Sequence, residues 1–241
     1  RLPDATGAHG ATVDAAGNTG VGSRTVELDF TGPDLSLAVQ PTGRPARLGE
    51  LVTVGVASSE ALDGGGIQLS AGGLSLGAPS GSGSNFSWTY TVKATDNGVF
   101  DLSATATDVV GNPAAAPETG TLALDGVVPT VSNAKLNPGR VAKGGAFTLT
   151  FTVSEAPGGD PAVSFSNGVD APVPMRKAPG TGLSFTYAGV APNAGAAPFY
   201  ALTVSVADAA GNGTVAGAGT VEIDNVAPQL VGLEVALAGA K

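Results

Sequence analysis

Apolar and polar residues alternate along most of this chain. In "LVTVGVASSE" (51–60), Val52, Val54 and Val56 fall on one side of an extended segment; in "AFTLTFTVSE" (146–155), Phe147, Leu149 and Phe151 do the same. "NFSWTYTV" places Phe86, Trp88 and Tyr90 on one face, and "GLSFTY" places Leu183, Phe185 and Tyr187 there. "FDLSATATD" (100–108) continues the pattern and aligns with "YALTVSVAD" (200–208). A period of two with one apolar face predicts strands that cover a core on one side and meet water on the other. No long stretch carries a three-to-four-residue apolar period free of Gly and Pro, so helices are not expected.

The segments recur as a set. Asp-x-x-Gly-Asn is written at Asp14 ("DAAGN"), Asp108 ("DVVGN") and Asp208 ("DAAGN"), at intervals of 94 and 100 residues. Each copy is followed by Thr-apolar-x-apolar-Asp and a Pro four residues later: "TVELDFTGP", "TLALDGVVP" and "TVEIDNVAP". Alternation ending at an Asp reads as a strand, and the Pro ends it and opens a linker. A repeat this long is a repeated domain, with complete copies over 31–128 and 129–226. By the same pattern 1–30 reads as the last strands of a preceding copy. Residues 227–241 read as the first strand of a following one. About seven short strands per copy make an immunoglobulin-like β-sandwich, so the expected class is all-β, with sandwiches in a string.

Composition narrows the chemistry. Of 241 residues 42% are hydrophobic and 13% charged, with 37 Gly and 17 Pro, which suits short strands joined by turns. A net charge of −9 argues against nucleic acid as a partner, since phosphates are met by clusters of Lys and Arg. The absence of Cys rules out disulfides and thiolate chemistry. No apolar run reaches membrane-spanning length. "GLSLG" (73–77) matches the Gly-x-Ser-x-Gly pattern of hydrolases, but it sits in a Gly-Ser-rich strand pair, and His9 alone is available as a base. "APETG" (116–120) resembles a sorting signal but runs straight into a strand. "NFS" (85–87) and "NGT" (212–214) are chance sequons. No nucleophile–base pair emerges, and no enzymatic activity is expected.

The order strand, "SE", strands, "A-D-x-x-G-N", "T-apolar-x-apolar-D…P" resembles the bacterial Ig-like repeats of large cell-surface and secreted adhesins. The resemblance covers nearly the whole chain. It implies an extracellular structural and adhesive module that extends and stiffens a chain, partnered by neighbouring repeats and an unknown surface receptor. A glycan- or protein-binding accessory module of a secreted enzyme, or a filament subunit, is the alternative.

Two readings of Asp-x-x-Gly-Asn stand side by side. One is a turn capped by the Asp side chain, with Gly or Asn in a left-handed conformation. The other is calcium. In a sandwich the loop after the second strand and the loop before the last strand lie at one end, facing the preceding linker. That would gather Asp29, Glu60, Asp108 and Asn112 at one junction and Asp125, Glu155, Asp208 and Asn212 at the next, with Asp224 at the head of a third. Calcium takes six to eight oxygen ligands, and the family resemblance supports it, because some members bind calcium at domain junctions.

Overall fold

The computed structural model describes residues 8–24, 28–192 and 198–232. Among these every regular element is a strand. The chain divides into two compact units, Arg1–Gly126 and Val127–Lys241.

The first unit opens on a hairpin, β1 (Ala8–Val13) paired antiparallel with β2 (Thr19–Arg24). Eight strands follow: β3 (Leu35–Gln40), β4 (Ala46–Arg47), β5 (Leu51–Ser58), β6 (Gln68–Ala71), β7 (Ser80–Ser82), β8 (Asn85–Thr91), β9 (Asn97–Thr105) and β10 (Glu118–Asp125). They form two four-stranded sheets, ordered β3-β5-β8-β7 and β4-β10-β9-β6. The register explains the alternation. Val52, Val54 and Val56 of β5 stand opposite Tyr90, Trp88 and Phe86 of β8, and all six are buried. The other sheet closes on them with Leu102 and Ala104 from β9 and Leu122 and Leu124 from β10.

The second unit repeats the plan with β11 (Val131–Asn137), β12 (Arg140–Ala142), β13 (Ala146–Val153), β14 (Ala162–Ser166), β15 (Val173–Pro174), β16 (Arg176–Lys177), β17 (Ser184–Val190), β18 (Phe199–Ala207) and β19 (Gly213–Asp224). Its sheets run β11-β13-β17-β16 and β12-β19-β18-β14-β15. Phe151 stacks on Phe185 at 5.6 Å between centroids, and Phe147 meets Phe165 edge-on at 5.1 Å. Gly189 stands opposite Phe147, where a Cβ would come within 2.6 Å of the ring, so the aromatic core requires a glycine there. In both units the first strand pairs antiparallel in one sheet. After a proline (Pro41, Pro138) the chain crosses to pair parallel with the last strand of the other.

Two expectations need revision. Leu183 is not a core residue but 42% exposed, because β17 begins one residue later and nothing covers that end. "GLSLG" falls in a loop between β6 and β7, not a strand pair, with Gly73 and Gly77 at positive φ. Residues 225–232 run without strand pairing, and the remainder of the expected following strand, 233–241, lies outside the described residues, as do 25–27.

Trp88 is 4% exposed within this core. Replacing it with Ala is expected to cost about 3–5 kcal/mol of stability by leaving a cavity. Chemical denaturation of the full chain would measure this, and a Trp88→Ala midpoint equal to the parent's would contradict the packing.

Candidate cation-binding site

The three Asp-x-x-Gly-Asn copies fold into one turn. Oδ1 of Asp108 accepts hydrogen bonds from the backbone amides of Val110 (2.9 Å), Gly111 (2.6 Å) and Asn112 (2.8 Å), and Oδ2 accepts one from Asn112 Nδ2 (2.8 Å). The Asp108 amide closes the loop on the Asn112 carbonyl at 3.0 Å. Gly111 stands at φ +99°, a left-handed conformation that favours glycine, which explains the fourth letter. Asp208 repeats the pattern with Gly211 and Asn212, and Asp14 with Ala16 and Asn18. Burial opposes ionisation of Asp108, yet the hydrogen bonds from Asn112, Val110 and Gly111 outweigh it and hold the carboxyl below its ordinary range.

The turn is fixed to its neighbours on two sides. On one, Leu62 forms an isolated bridge with Asp108, and the Asp63 amide bonds the Thr107 carbonyl at 3.2 Å. This seats the loop after β5, and Glu60 with it. On the other, Asn112 Nδ2 donates to the carbonyls of Asp29 (3.1 Å) and Thr31 (3.5 Å). Gly32 lies so close to the loop that a Cβ would come within 1.9 Å of the Pro113 oxygen. Carboxylate oxygens of Asp29, Glu60 and Asp108 thereby come within 4.8 Å of one another. Burial raises the Glu60 pKa, and the charges of Asp29, Asp108 and Asp34 raise it further.

In the second unit the equivalent loops are stitched alike. Pro157 bridges to Asp208, and the Gly158 amide bonds the Ala207 carbonyl at 2.9 Å. Glu155 is half-buried; Asp208 and Asn212 are buried. Asp125 closes β10, in register with Arg47 of β4. Asp224 closes β19, where Oδ1 accepts from the Val226 amide and Oδ2 from Arg140 at 2.9 Å; these contacts lower its pKa.

The asparagines close the turns. Asn112 presents its amide nitrogen to three acceptors, and Asn212 presents its own to Asp208, so each closes the turn instead of turning its amide oxygen toward the carboxylates. Two contributors escaped sequence reading. Asp34 reaches the cluster because its amide and carbonyl pair with Ser59, and Gly32 permits the close approach of the linker. Only the spacing of Asp34 from Asp29 hinted at the first.

No protein-family model matches the chain. No curated protein matches it. Among solved structures it is similar to domains A168-A170 from titin, at 15% identity over 92% of this chain and 76% of that one, with a TM-score of 0.50. It is also similar to the titin fragment I67-I69, at 14% identity, 89% and 72% coverage and a TM-score of 0.46. A Ca2+-stabilized adhesin that helps an Antarctic bacterium bind ice gives 17% identity, 92% and 57% coverage and a TM-score of 0.44. At these identities the likeness is one of fold. Together with the two-sheet topology, it defines the chain as tandem immunoglobulin-like β-sandwiches.

A carboxyl with a raised folded-state pKa holds its proton more tightly folded than unfolded. Its contribution is therefore neutral at low pH and destabilising as pH rises above the ordinary glutamate range. In chelator, Glu60→Gln is expected to raise the melting temperature at pH 7.5 and to leave it nearly unchanged at pH 3.5. Equal melting of variant and parent at pH 7.5 would show that Glu60 is not under repulsion.

Proposed function

We propose that this chain is a structural and adhesive repeat module of a long bacterial surface or secreted protein, with calcium bound where the linker meets the loops of each sandwich. The observation that supports this most is the convergence of Asp29, Glu60 and Asp108 on one end of the first sandwich. The donor set fits the ion: carboxylates are the hard oxygen ligands calcium takes, and backbone carbonyls and water complete its six to eight positions. Three carboxylates so close repel, which adds to burial in raising the pKa of Glu60, and a divalent cation would turn that repulsion into attraction.

The carboxylates of Asp29, Glu60 and Asp108 would hold the cation, with Asn112 positioning the Asp108 turn and the linker. The sequence repeat gives Asp125, Glu155, Asp208 and Asn212 the same roles in the next copy. Asp224 would serve a copy beyond, after exchanging Arg140 for the ion. The eight- and nine-residue strands β5, β9, β13 and β18 span roughly 30 Å, so each successive repeat would add length of that order. Ions at the linkers would limit bending between them. The partners of such a module are its neighbouring repeats and a receptor on another surface, outside the cell. No helix among the described residues is long and apolar enough to cross a membrane.

Calorimetric titration of the full chain with calcium is expected to show binding that Asp29→Asn and Asp125→Asn together abolish. Calcium at a hundred times its dissociation constant should stabilise the folded state by about 2.7 kcal/mol. Small-angle scattering should report a narrower distribution of shapes with calcium than with chelator. No heat and identical scattering profiles would leave Asp-x-x-Gly-Asn as a turn alone.

A further inference from the structure

The two sandwiches differ on the outer face of the sheet built on their last strands. In the first unit β9 and β10 pair without interruption, and Asp101 projects from that face opposite Thr121. In the second unit the register between β18 and β19 slips. Ala201 stands opposite Thr220 but Thr203 opposite Gly217, so β19 carries one residue more than its partner. The extra length is taken up around Ala218 and Gly219, the latter at φ +112°. Such a bulge bends the sheet locally, and bulges are frequent where a sheet presents a site.

On this face lies an open groove of about 560 Å³, within the size range of small-ligand sites. Ser164, Ser166, Thr203 and Thr220 line it with hydroxyls, together with Ala201 and Phe199. Phe199 is 58% exposed, although its strand neighbours Tyr200 and Leu202 are buried. Ser164 Oγ and Thr203 Oγ1 lie 3.2 Å apart, one hydrogen bond between two groups that each keep further donor or acceptor capacity. Among the described residues no charged side chain lines the groove. The nearest carboxylates are engaged: Glu222, opposite Phe199, pairs with Arg140 at 3.4 Å, and Asp170 accepts from Asn167 at 2.8 Å.

We propose that this groove binds a neutral oligosaccharide. An exposed ring beside a row of hydroxyls matches the two surfaces of a sugar, an apolar C–H face that stacks and a rim of hydroxyls that exchange hydrogen bonds. A chain of net charge −9 repels polyanions, and a groove without cations offers them no partner. Position 201 separates the two domains: the aligned residue of the first unit is Asp101, which would bury a carboxylate against the sugar. The inference stands apart from the cation reading, since no residue of the groove belongs to that cluster.

The test uses the full chain in chelator, so cation binding has no bearing on it. Maltohexaose, cellohexaose and laminarihexaose are titrated in turn while the backbone amides are followed by NMR, with an oligogalacturonate of equal length as the anionic comparison. At least one neutral hexaose is expected to shift the amides of Ser164, Ser166, Thr203 and Thr220 with a dissociation constant of about a millimolar. Phe199→Ala should weaken that binding by about tenfold or more, and Ala201→Asp should abolish it, with both variants melting like the parent because both positions are exposed. No shift with any of the three at about 10 mM, equal binding by the oligogalacturonate, or unchanged affinity in either variant would overturn the proposal.

Discussion

The carboxylate of Asp108 accepting the amides of its own turn is the interaction on which this end of the molecule depends. Without it, three consecutive donors at the tip of the loop would need water. With it, the loop before the last strand becomes a rigid platform that other segments can meet. The loop after β5 bridges to it through Leu62, and the linker is drawn to it by Asn112 and by the space that Gly32 leaves. The acidic cluster follows from these contacts. Asp108 is held ionised by its hydrogen bonds, so a carboxylate placed beside it, as Glu60 is, must carry the electrostatic cost.

The sandwich beneath is built so that this platform can be repeated. β5 and β8 bury three facing pairs of large side chains, β13 and β17 bury two (Leu149 with Tyr187, Phe151 with Phe185) while Phe147 faces Gly189, and in each unit the last two strands close over them. The aromatic content is distributed differently: Phe86, Trp88 and Tyr90 in one core, and six rings in two contacting groups, Phe147 and Tyr200 against Phe165 and Phe185 and Tyr187 against Phe151, in the other. The topology survives this exchange because the strand order and the parallel contact of the short second segment with the last strand are retained.

The core was legible because a strand's faces alternate strictly, and Val52, Trp88, Phe147 and Phe185 carry large apolar groups in phase. The same rule misplaced Leu183, which has the right parity but stands beyond the end of its strand, where parity has no consequence. "GLSLG" read as a strand pair because alternation was counted without the positive φ of its glycines. At the candidate site, Asp29, Glu60 and Asp108 could be brought together on paper from strand direction alone. The orientation of Asn112 could not, since amide nitrogen and oxygen are one letter in a sequence and only the surrounding acceptors decide between them. Nor could Asp34, which arrives through backbone pairing with Ser59. The slip between β18 and β19 left no mark beyond a scatter of glycines.

The turn organises the loop, and the acidic cluster is its consequence. Amide hydrogen exchange in chelator tests this directly at Val110, Gly111 and Asn112, and at Gly211 and Asn212. The account predicts that these loop amides, capped by Asp108 and Asp208, exchange slowly without any cation, at rates approaching those of the neighbouring strands. Rates near those of an unfolded chain, recovering protection only when calcium is added, would show instead that the ion builds the turn.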